Sequence, residues 1–431
     1  MKRILALILC GSMLALLFGA CASKDEANPE QPQTESKSAV ETKSNKETKT
    51  VPTASTAHDS GKKAGTKPET KPTEAEKPED SAIKDVFDGD VAEAGFDGVV
   101  CAESDGRLIY ESEASRYSSD TFFRIASVSK QFTAAAVLML CDEGRLSVND
   151  AIDKFFPEFY EHSRYMRDGT PLSDETMQRL RDNKVTVHHL LCMRSGIPDY
   201  LTLAYYDDSD GDSIPDVVSD VSPAYSSEKN RAAVKQWLYT TELSLPDQTF
   251  DYSNSNYLLL GEIIEQVSGM PYEDFITERI LEPLGMNNTY FGEKTDISSL
   301  KFAHPDAENS ENVWFRLNGV RYGCGDMISI ASDLMIWARE LMDGTEKKVL
   351  TDSMISRMTT NYSGGGYGYG LSINENMGMI SHEGSLPPFS SILAVIPSQR
   401  FALVMFDNRY DSALKGLSQK LCSDFMRGRN A

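Results

Sequence analysis

The feature that most constrains this chain is the segment Ser127–Lys130 together with the apolar run that follows it. Ser127 precedes Lys130 by three positions, and the residues 134–140 are all apolar. This pattern predicts a buried helix, and residues three apart on a helix share a face, so the two side chains can meet. A serine hydroxyl is a weak nucleophile at neutral pH, and an adjacent base activates it. We therefore interpret Ser127 as a nucleophile and Lys130 as its base.

A serine and a lysine at the start of a helix are common, so this pattern alone is weak evidence for catalysis. Two stretches further along the chain strengthen it. They are Tyr252-Ser253-Asn254 and His382-Glu383-Gly384-Ser385. Taken separately, the first is typical of a turn before a helix, and His382 is typical of a structural histidine. Taken with the serine and the lysine, they supply a phenol, an amide and an imidazole, all of which take part in acid–base chemistry or hydrogen bonding to a substrate.

Together these stretches resemble the S-x-x-K, Y-x-N and K/H-x-G motifs of the serine β-lactamase and penicillin-binding superfamily. The resemblance is to the branch that contains class C β-lactamases, D-alanyl-D-alanine carboxypeptidases and related esterases, and it covers about residues 90 to 425. The flanking stretches that share it are Lys130–Ala135, Val187–Leu191, Ser195–Tyr200 and Ile280–Met286. The resemblance implies an α+β fold, in which an antiparallel sheet flanked by helices packs against an all-helical lobe and the active site lies in the cleft.

The resemblance also implies a role for each motif residue. Tyr252 would carry a proton to the leaving group, and Asn254 would hold both the lysine and the amide of the substrate. His382 would donate to a substrate carboxylate or orient the tyrosine. The backbone N–H of Ser385 would be an oxyanion donor beside that of the nucleophile, and Gly384 would let the substrate lie close to the strand.

Two points stay open at this level. Either Lys130 or Tyr252 could take the proton of the serine. In addition, Glu383 stands where β-lactamases carry a hydroxyl residue that helps to bind the substrate carboxylate. A glutamate there would repel that group unless it pointed away or was protonated, which weakens the β-lactamase interpretation and leaves room for an esterase, an amidase or a D-amino-acid peptidase.

The predicted function is therefore that of an extracytoplasmic serine hydrolase that works through an acyl-enzyme on Ser127. The substrate class that we predict is the cell-wall peptide, cleaved in the manner of a D-alanyl-D-alanine carboxypeptidase. An esterase or a β-lactamase of the class C type is the first alternative. A non-catalytic penicillin-binding sensor is the second, although a pure binder has no need for a base beside a nucleophile.

The N-terminal region predicts an exported, membrane-anchored protein. Residues 1–20 combine Lys2-Arg3 with an apolar run and form a secretory signal, and Cys21 follows a lipobox-like stretch and would be lipidated. Ordinary cleavage of the signal, or its retention as a membrane-spanning helix, are the alternatives. Residues 21–85 are rich in Lys, Glu, Thr, Ser and Pro and predict a disordered tether. Residues 86–431 would form the hydrolase domain.

Charge and cysteine content argue against nucleic acid and zinc as partners, and one acidic stretch suggests calcium. The formal net charge of −22 and a pI near 4.7 argue against binding to nucleic acid. The seven cysteines contain no C-x-x-C pair, so we predict no zinc and no cofactor for catalysis. An aspartate-rich stretch could converge its oxygens on a structural calcium ion, although such a loop can also be a simple solvated turn. Its candidate ligands are Asp208, Asp210, Asp212 and Asp216.

Overall fold

The structure, a computed structural model, describes most of the chain from Pro78 onward. The described residues are 78–113, 115–166, 169–201, 221–222, 224–303, 319–409 and 413–429. The predicted signal, the lipidation site Cys21 and most of the tether lie outside this range. So do the aspartates of the calcium prediction, namely Asp208, Asp210, Asp212 and Asp216. These assignments stay predictions.

A six-stranded antiparallel sheet, built from both ends of the described domain, forms its centre. The strand order is β2-β1-β9-β8-β7-β6. In chain order these strands are β1 Val99–Ser104, β2 Arg107–Glu111, β6 Ser372–Asn374, β7 Met379–Leu386, β8 Phe389–Ile396 and β9 Phe401–Asp407. Both β8 and β9 are buried along their whole length, because helices cover the two faces of the sheet. The apolar stretches on both sides of the Ser104-Asp105-Gly106 turn predict a hairpin, and those on both sides of the turn that starts at Pro397 predict two strands. Both predictions are confirmed by β1, β2, β8 and β9.

A second, smaller sheet and eleven α-helices, with short 3₁₀ and π-helical turns, complete the described part of the chain. The small sheet has the order β3-β5-β4, with β3 Phe123–Arg124, β4 Tyr290–Phe291 and β5 Met327–Ser329. The helices are α1 Pro78–Ala94, α2 Lys130–Asp142, α3 Asp174–Asp182, α4 Val187–Leu191, α5 Ser227–Thr240, α6 Asn254–Ser268, α7 Tyr272–Ile276, α8 Glu282–Leu284, α9 Ala331–Glu340, α10 Asp352–Met358 and α11 Ala413–Arg429. The predicted α+β class is confirmed.

The first and last helices cover one face of the large sheet. Ile83 and Phe87 of α1 and Phe425 of α11 are buried in a core that they share with β1, β8 and β9. The rings of Phe401 and Phe425 stack with their centroids 3.9 Å apart. Because Ile83 already belongs to this core, the packed domain begins earlier than the predicted boundary at residue 86.

Helix α2 lies in the middle of the second core and carries the lysine of the first motif. Every residue from Lys130 to Leu140 is buried, and the helix packs against α6 of the helical region. A helix that is apolar on all sides can be stable only in such a fully enclosed position. In the part of the chain that the structure describes, no helix has the length and apolar character needed to cross a membrane.

Candidate active site

Ser127 lies on a single 3₁₀ turn, Ala126–Ser129, between β3 and α2. Ala126 has a positive φ of 45°, which costs a residue with a side chain about 1–2 kcal/mol and turns the chain sharply before the serine. The strands hold the turn from both sides. The N–H of Ile125 donates to the carbonyl of Met327 at 3.0 Å, and Oγ of Ser391 donates to the carbonyl of Ile125 at 2.8 Å. The nucleophile is thereby fixed to both sheets.

The Lys130 side chain is completely buried and makes three polar contacts. Its Nζ lies 2.9 Å from Oγ of Ser127, 2.8 Å from Oδ1 of Asn254 and 2.7 Å from the carbonyl oxygen of Cys324. The last two partners are carbonyl oxygens, which only accept, so each takes one N–H. In the neutral amine the lone pair therefore faces the hydroxyl of Ser127, which is the geometry of a base that removes its proton.

Asn254 is oriented by Asp199, a residue to which the sequence assigned no role. The carboxylate of Asp199 accepts from the backbone N–H of Asn254 at 3.0 Å and from its Nδ2 at 3.1 Å. This leaves Oδ1 of the asparagine directed at the lysine. Asp199 belongs to the Ser195–Tyr200 stretch that resembles the family, and that stretch was its only sequence signal.

The carbonyl of Cys324 is the other partner of the lysine that sequence reasoning missed. It belongs to a turn between Gly323 and Gly325, and this turn is held against α2 by Thr133, whose Oγ1 donates to the carbonyl of Gly323 at 2.7 Å. A backbone acceptor has no side-chain signature. The Gly-Cys-Gly sequence indicated at most that the chain turns tightly at this point.

Tyr252 brings the second motif to the same place. Its half-buried ring lies with the centroid 5.1 Å from Nζ of Lys130, at the distance of a cation–π contact. The ring centroid of His382 lies 6.1 Å from that of Tyr252. The structure therefore brings residues of all three motifs, which are far apart in the sequence, together around one lysine.

His382 lies on β7 with both ring nitrogens engaged inside the protein. Its Nδ1 is 2.6 Å from the carbonyl oxygen of Glu383, and its Nε2 is 2.9 Å from Oη of Tyr367. Burial, with the nearby charge of Lys130, lowers the pKa of His382 to about 3, so the ring is neutral. Tyr367, a buried residue in the glycine-rich stretch 364–370, was not identified from the sequence.

Glu383 points away from the nucleophile. Side chains alternate along a strand, and its Oε1 lies 2.7 Å from Nζ of Lys415 on α11, at the opposite face of the sheet. The pair is exposed, so it contributes little stability. Because the Glu383 side chain points away from the cleft, it does not repel a substrate carboxylate. The glutamate is therefore no argument against substrates that carry a carboxylate.

Gly384 follows on the inner face, and the structure gives a reason for this glycine that differs from the predicted one. A Cβ at this position would lie 2.2 Å from the carbonyl oxygen of Ile125 and 2.2 Å from Oγ of Ser391. The glycine thus allows β7 to approach the turn that carries the nucleophile. Ser385 is exposed one residue further along, where β7 extends beyond its pairing with β6, which ends at Ser381.

Replacing Gly384 by alanine is expected to destabilise the fold by about 1–3 kcal/mol, because the added methyl group overlaps the carbonyl oxygen of Ile125 and Oγ of Ser391. Thermal unfolding of the purified variant measures this. Gly416→Ala in α11 is the matched control, since no atom lies within 4 Å of its Cβ position, and alanine there should stabilise the helix by about 0.5–1 kcal/mol. Equal stability of the two variants would contradict the assigned contact.

Replacing Asp199 by asparagine is expected to lower kcat about 10- to 100-fold with little change in KM or in melting temperature. An asparagine at 199 has one acceptor oxygen instead of two, so it can accept from the backbone N–H or from Nδ2 of Asn254 but not from both, and its own NH₂ faces the other donor. Asn254 is then no longer held with its Oδ1 directed at Lys130. Steady-state kinetics measure the effect. Asp352→Asn, at an exposed position on α10, is the control, and an equal loss in both variants would refute the positioning role.

In the described residues no group of three or more His, Cys, Asp or Glu side chains is placed to hold a metal ion. What the geometry provides is a serine with a buried amine at its hydroxyl, a phenol above the amine, and a free strand edge beside the serine. This arrangement defines a serine hydrolase.

Comparison with known proteins places the chain more narrowly. The profile of the family described as Beta-lactamase matches residues 83–418. Penicillin-binding protein 4* of Bacillus subtilis is 27% identical over 342 residues, which cover 73% of this chain and 68% of that protein. Protein flp of Staphylococcus aureus (strain COL) is 28% identical over 304 residues, and the matched region spans 53% of its length. The chain belongs to the Beta-lactamase family.

A solved structure supports the fold independently. The D-amino acid amidase of Ochrobactrum anthropi SV3 superposes with a TM-score of 0.59 at 24% identity, over 80% of this chain and 99% of that one. The resemblance inferred from the three motifs is thus confirmed. The protein is a serine hydrolase of the β-lactamase and penicillin-binding superfamily.

Proposed function

We propose that this hydrolase cleaves D-alanyl peptides or their amides and esters outside the cytoplasm, through an acyl-enzyme on Ser127. The observation that carries the proposal is the position of the Lys130 amine. Two carbonyl oxygens accept its N–H groups, so in the neutral amine the lone pair faces the hydroxyl of Ser127, whose Oγ is 2.9 Å away. A non-catalytic penicillin sensor would not need a base in this position, so we favour an enzyme over that alternative.

In the proposed reaction, Oγ of Ser127 attacks the substrate carbonyl while its proton moves to Nζ of Lys130. The tetrahedral intermediate places its oxyanion at the backbone N–H groups of Ser127 and Ser385. Tyr252, next to the lysine, passes the proton to the leaving amine or alcohol, and an ester bond to the serine remains. Water then attacks this ester, gives up a proton to the same base, and releases the acid product and the free serine.

The substrate class rests on the relatives. One is named a penicillin-binding protein and another a D-amino acid amidase, so penicillin and amides of D-amino acids are the ligands that their names give. The direction of Glu383 agrees with this choice, because the glutamate pairs with Lys415 and does not repel a substrate in the cleft. Esterase and β-lactamase activities of the same site are the second candidate.

Stereoselectivity tests the proposal. The purified chain is given D-alanyl and L-alanyl p-nitroanilides, a p-nitrophenyl ester and a chromogenic cephalosporin. We expect release of p-nitroaniline from the D-alanyl compound at least about 100-fold faster than from the L-alanyl one, a difference of about 2.7 kcal/mol in transition-state binding. Turnover of the ester or of the cephalosporin without any D-selective amide hydrolysis would instead support the second candidate.

We also propose that the enzyme works at the outer face of a membrane, anchored by lipid on Cys21 and spaced from it by the tether. Support comes from the sequence alone, through the apolar leader and the lipobox-like stretch before the cysteine. Recovery of the Cys21→Ala variant in the soluble fraction, with the unchanged chain in the membrane fraction, is the expected result. Equal membrane recovery of both would favour the alternative of a leader that is retained as a membrane-spanning helix.

A further inference from the structure

We propose that His382 is a neutral positioning residue rather than a group that binds the substrate. In this assignment Tyr367 holds one tautomer of the ring, and the ring fixes the free edge of β7. The site then prefers leaving groups without a free carboxylate, such as amides, esters and internal peptide bonds. This preference narrows the proposed function and rests on it for the substrate class. The tautomer and the positioning role of His382 do not depend on the proposed function.

The tautomer follows from what each ring nitrogen contacts. Nδ1 lies 2.6 Å from the carbonyl oxygen of Glu383, which has no hydrogen to give, so Nδ1 carries the proton and donates it. With one proton on a neutral ring, Nε2 has a lone pair and accepts from Oη of Tyr367 at 2.9 Å. The imidazole therefore has no donor left for a substrate.

The surroundings oppose a second proton on this ring. His382 is only 4% exposed, and Lys130 on α2 repels a positive charge there. The rings that contact it are those of Tyr252 and Tyr367, and Tyr257 interacts in turn with Tyr367. Tyr257 is itself committed, since its Oη donates to the carbonyl of Leu191 at 3.0 Å. Glu383 contributes its carbonyl, and its carboxylate lies across the sheet with Lys415.

The positioning role follows from the group that accepts the N–H of His382. The Nδ1–H bond to the carbonyl of Glu383 fixes the peptide between Glu383 and Gly384, directly before the strand edge that runs past the nucleophile turn. The proposed oxyanion donor is the N–H of Ser385, one residue on. A rotation of this peptide would move that donor, and oxyanion contacts are sensitive to such displacements.

The same contacts determine which donors the site can offer to a substrate carboxylate. The ammonium form of Lys130 has three N–H groups, and these are directed at Ser127, Asn254 and the carbonyl of Cys324. With His382 neutral and its one N–H used, neither basic side chain of the motifs offers a donor to a carboxylate. A substrate with a free carboxylate on the leaving residue would have to desolvate that charge without compensation from either group, which is unfavourable.

Imidazole nitrogen NMR tests the assignment independently of any substrate. The full chain is labelled with ¹⁵N at its six histidines, and the His382 signals are assigned from their loss in His382→Asn. We expect a protonated Nδ1 and an unprotonated Nε2 whose shifts stay constant between about pH 8 and about pH 5, where an ordinary histidine titrates. A titration midpoint within that range, or a proton on Nε2 alone, would overturn the proposal.

Conservative replacement tests the positioning role. Asparagine can present an N–H where the histidine presents Nδ1–H, so His382→Asn is expected to retain kcat/KM within about 10-fold of the unchanged enzyme. His382→Ala removes the donor and is expected to lose about 100-fold or more. A loss in the asparagine variant as large as in the alanine variant would mean that the imidazole itself acts on the substrate, and the positioning role would be wrong.

A matched pair of peptides tests the specificity. Both end in D-alanyl-D-alanine, one with a free C-terminal carboxylate and the other with a C-terminal amide. We expect at least about a 10-fold higher kcat/KM for the amide, and a shift of that ratio toward the carboxylate in His382→Lys. A 10-fold preference of the unchanged enzyme for the carboxylate would overturn the inference. Hydrolysis of neither peptide would count against the proposed function instead, while the NMR result still decides the state of His382.

Discussion

Ser127→Ala is expected to abolish turnover of every substrate that the enzyme accepts, by roughly 10⁴-fold or more in kcat/KM, while the fold remains intact. The hydroxyl is the atom that forms the covalent bond, and a methyl group cannot replace it. The serine is held in place by backbone bonds of its neighbours, so loss of the hydroxyl leaves the turn intact. Initial rates with a chromogenic amide and an ester, together with the melting temperature, measure both parts of the prediction.

Ser353→Ala is the control for this variant, because that serine is exposed on α10 and should tolerate the change. Activity of Ser127→Ala within 10-fold of the unchanged enzyme would exclude the acyl-enzyme mechanism. A fall in melting temperature of more than a few degrees would mean that part of the activity loss comes from unfolding.

Lys130→Met is expected to lower the rate of acylation by about 10³-fold or more, because it removes the group that accepts the proton of the serine. Methionine has a similar volume, and replacing a buried charge by an apolar group of similar volume is often neutral for stability. The carbonyl of Cys324 and Oδ1 of Asn254 then lose a donor, at a cost of about 1–3 kcal/mol each. We therefore expect a total destabilisation of about 2–6 kcal/mol, so the acylation rate is measured well below the melting temperature of the variant, where the remaining kinetic loss reports on the missing base.

Pre-steady-state acylation kinetics and thermal unfolding separate these two effects. Lys154→Met is the control, since Lys154 is exposed and contacts only Asp150 and the ring of Phe155 among the contacts of the described residues. If Lys130→Met kept the acylation rate and Tyr252→Phe abolished it, the tyrosine would be the base and the interpretation of the lysine would be wrong.

Much of the fold was accessible from the sequence, because the elements that define it carry strong local patterns. The apolar run after Ser127 predicted a buried helix, and the apolar stretches with turns near both ends of the domain predicted strands, which the structure joins in one sheet. The three motifs identified Ser127, Lys130 and Tyr252, and the structure places them together.

What the sequence could not provide are contacts that depend on backbone atoms or on the direction of a side chain. The Cys324 carbonyl, which holds the lysine, has no residue signature at all. The register of β7 decides whether the Glu383 side chain lies in the cleft or on the opposite face of the sheet, and in the structure it lies on the opposite face, beside Lys415. Tyr367 gains its role from a contact with His382 that only the folded sheet creates.

Mass spectrometry of the intact protein after incubation with a penicillin shows whether the buried lysine activates Ser127 for covalent catalysis. We expect a mass increase equal to one penicillin, localised by peptide mapping to Ser127, in the unchanged enzyme and in the Lys154→Met control. We expect no such increase in Ser127→Ala and a strongly slowed increase in Lys130→Met. An adduct on another residue, or acylation of Lys130→Met at the unchanged rate, would contradict this mechanism.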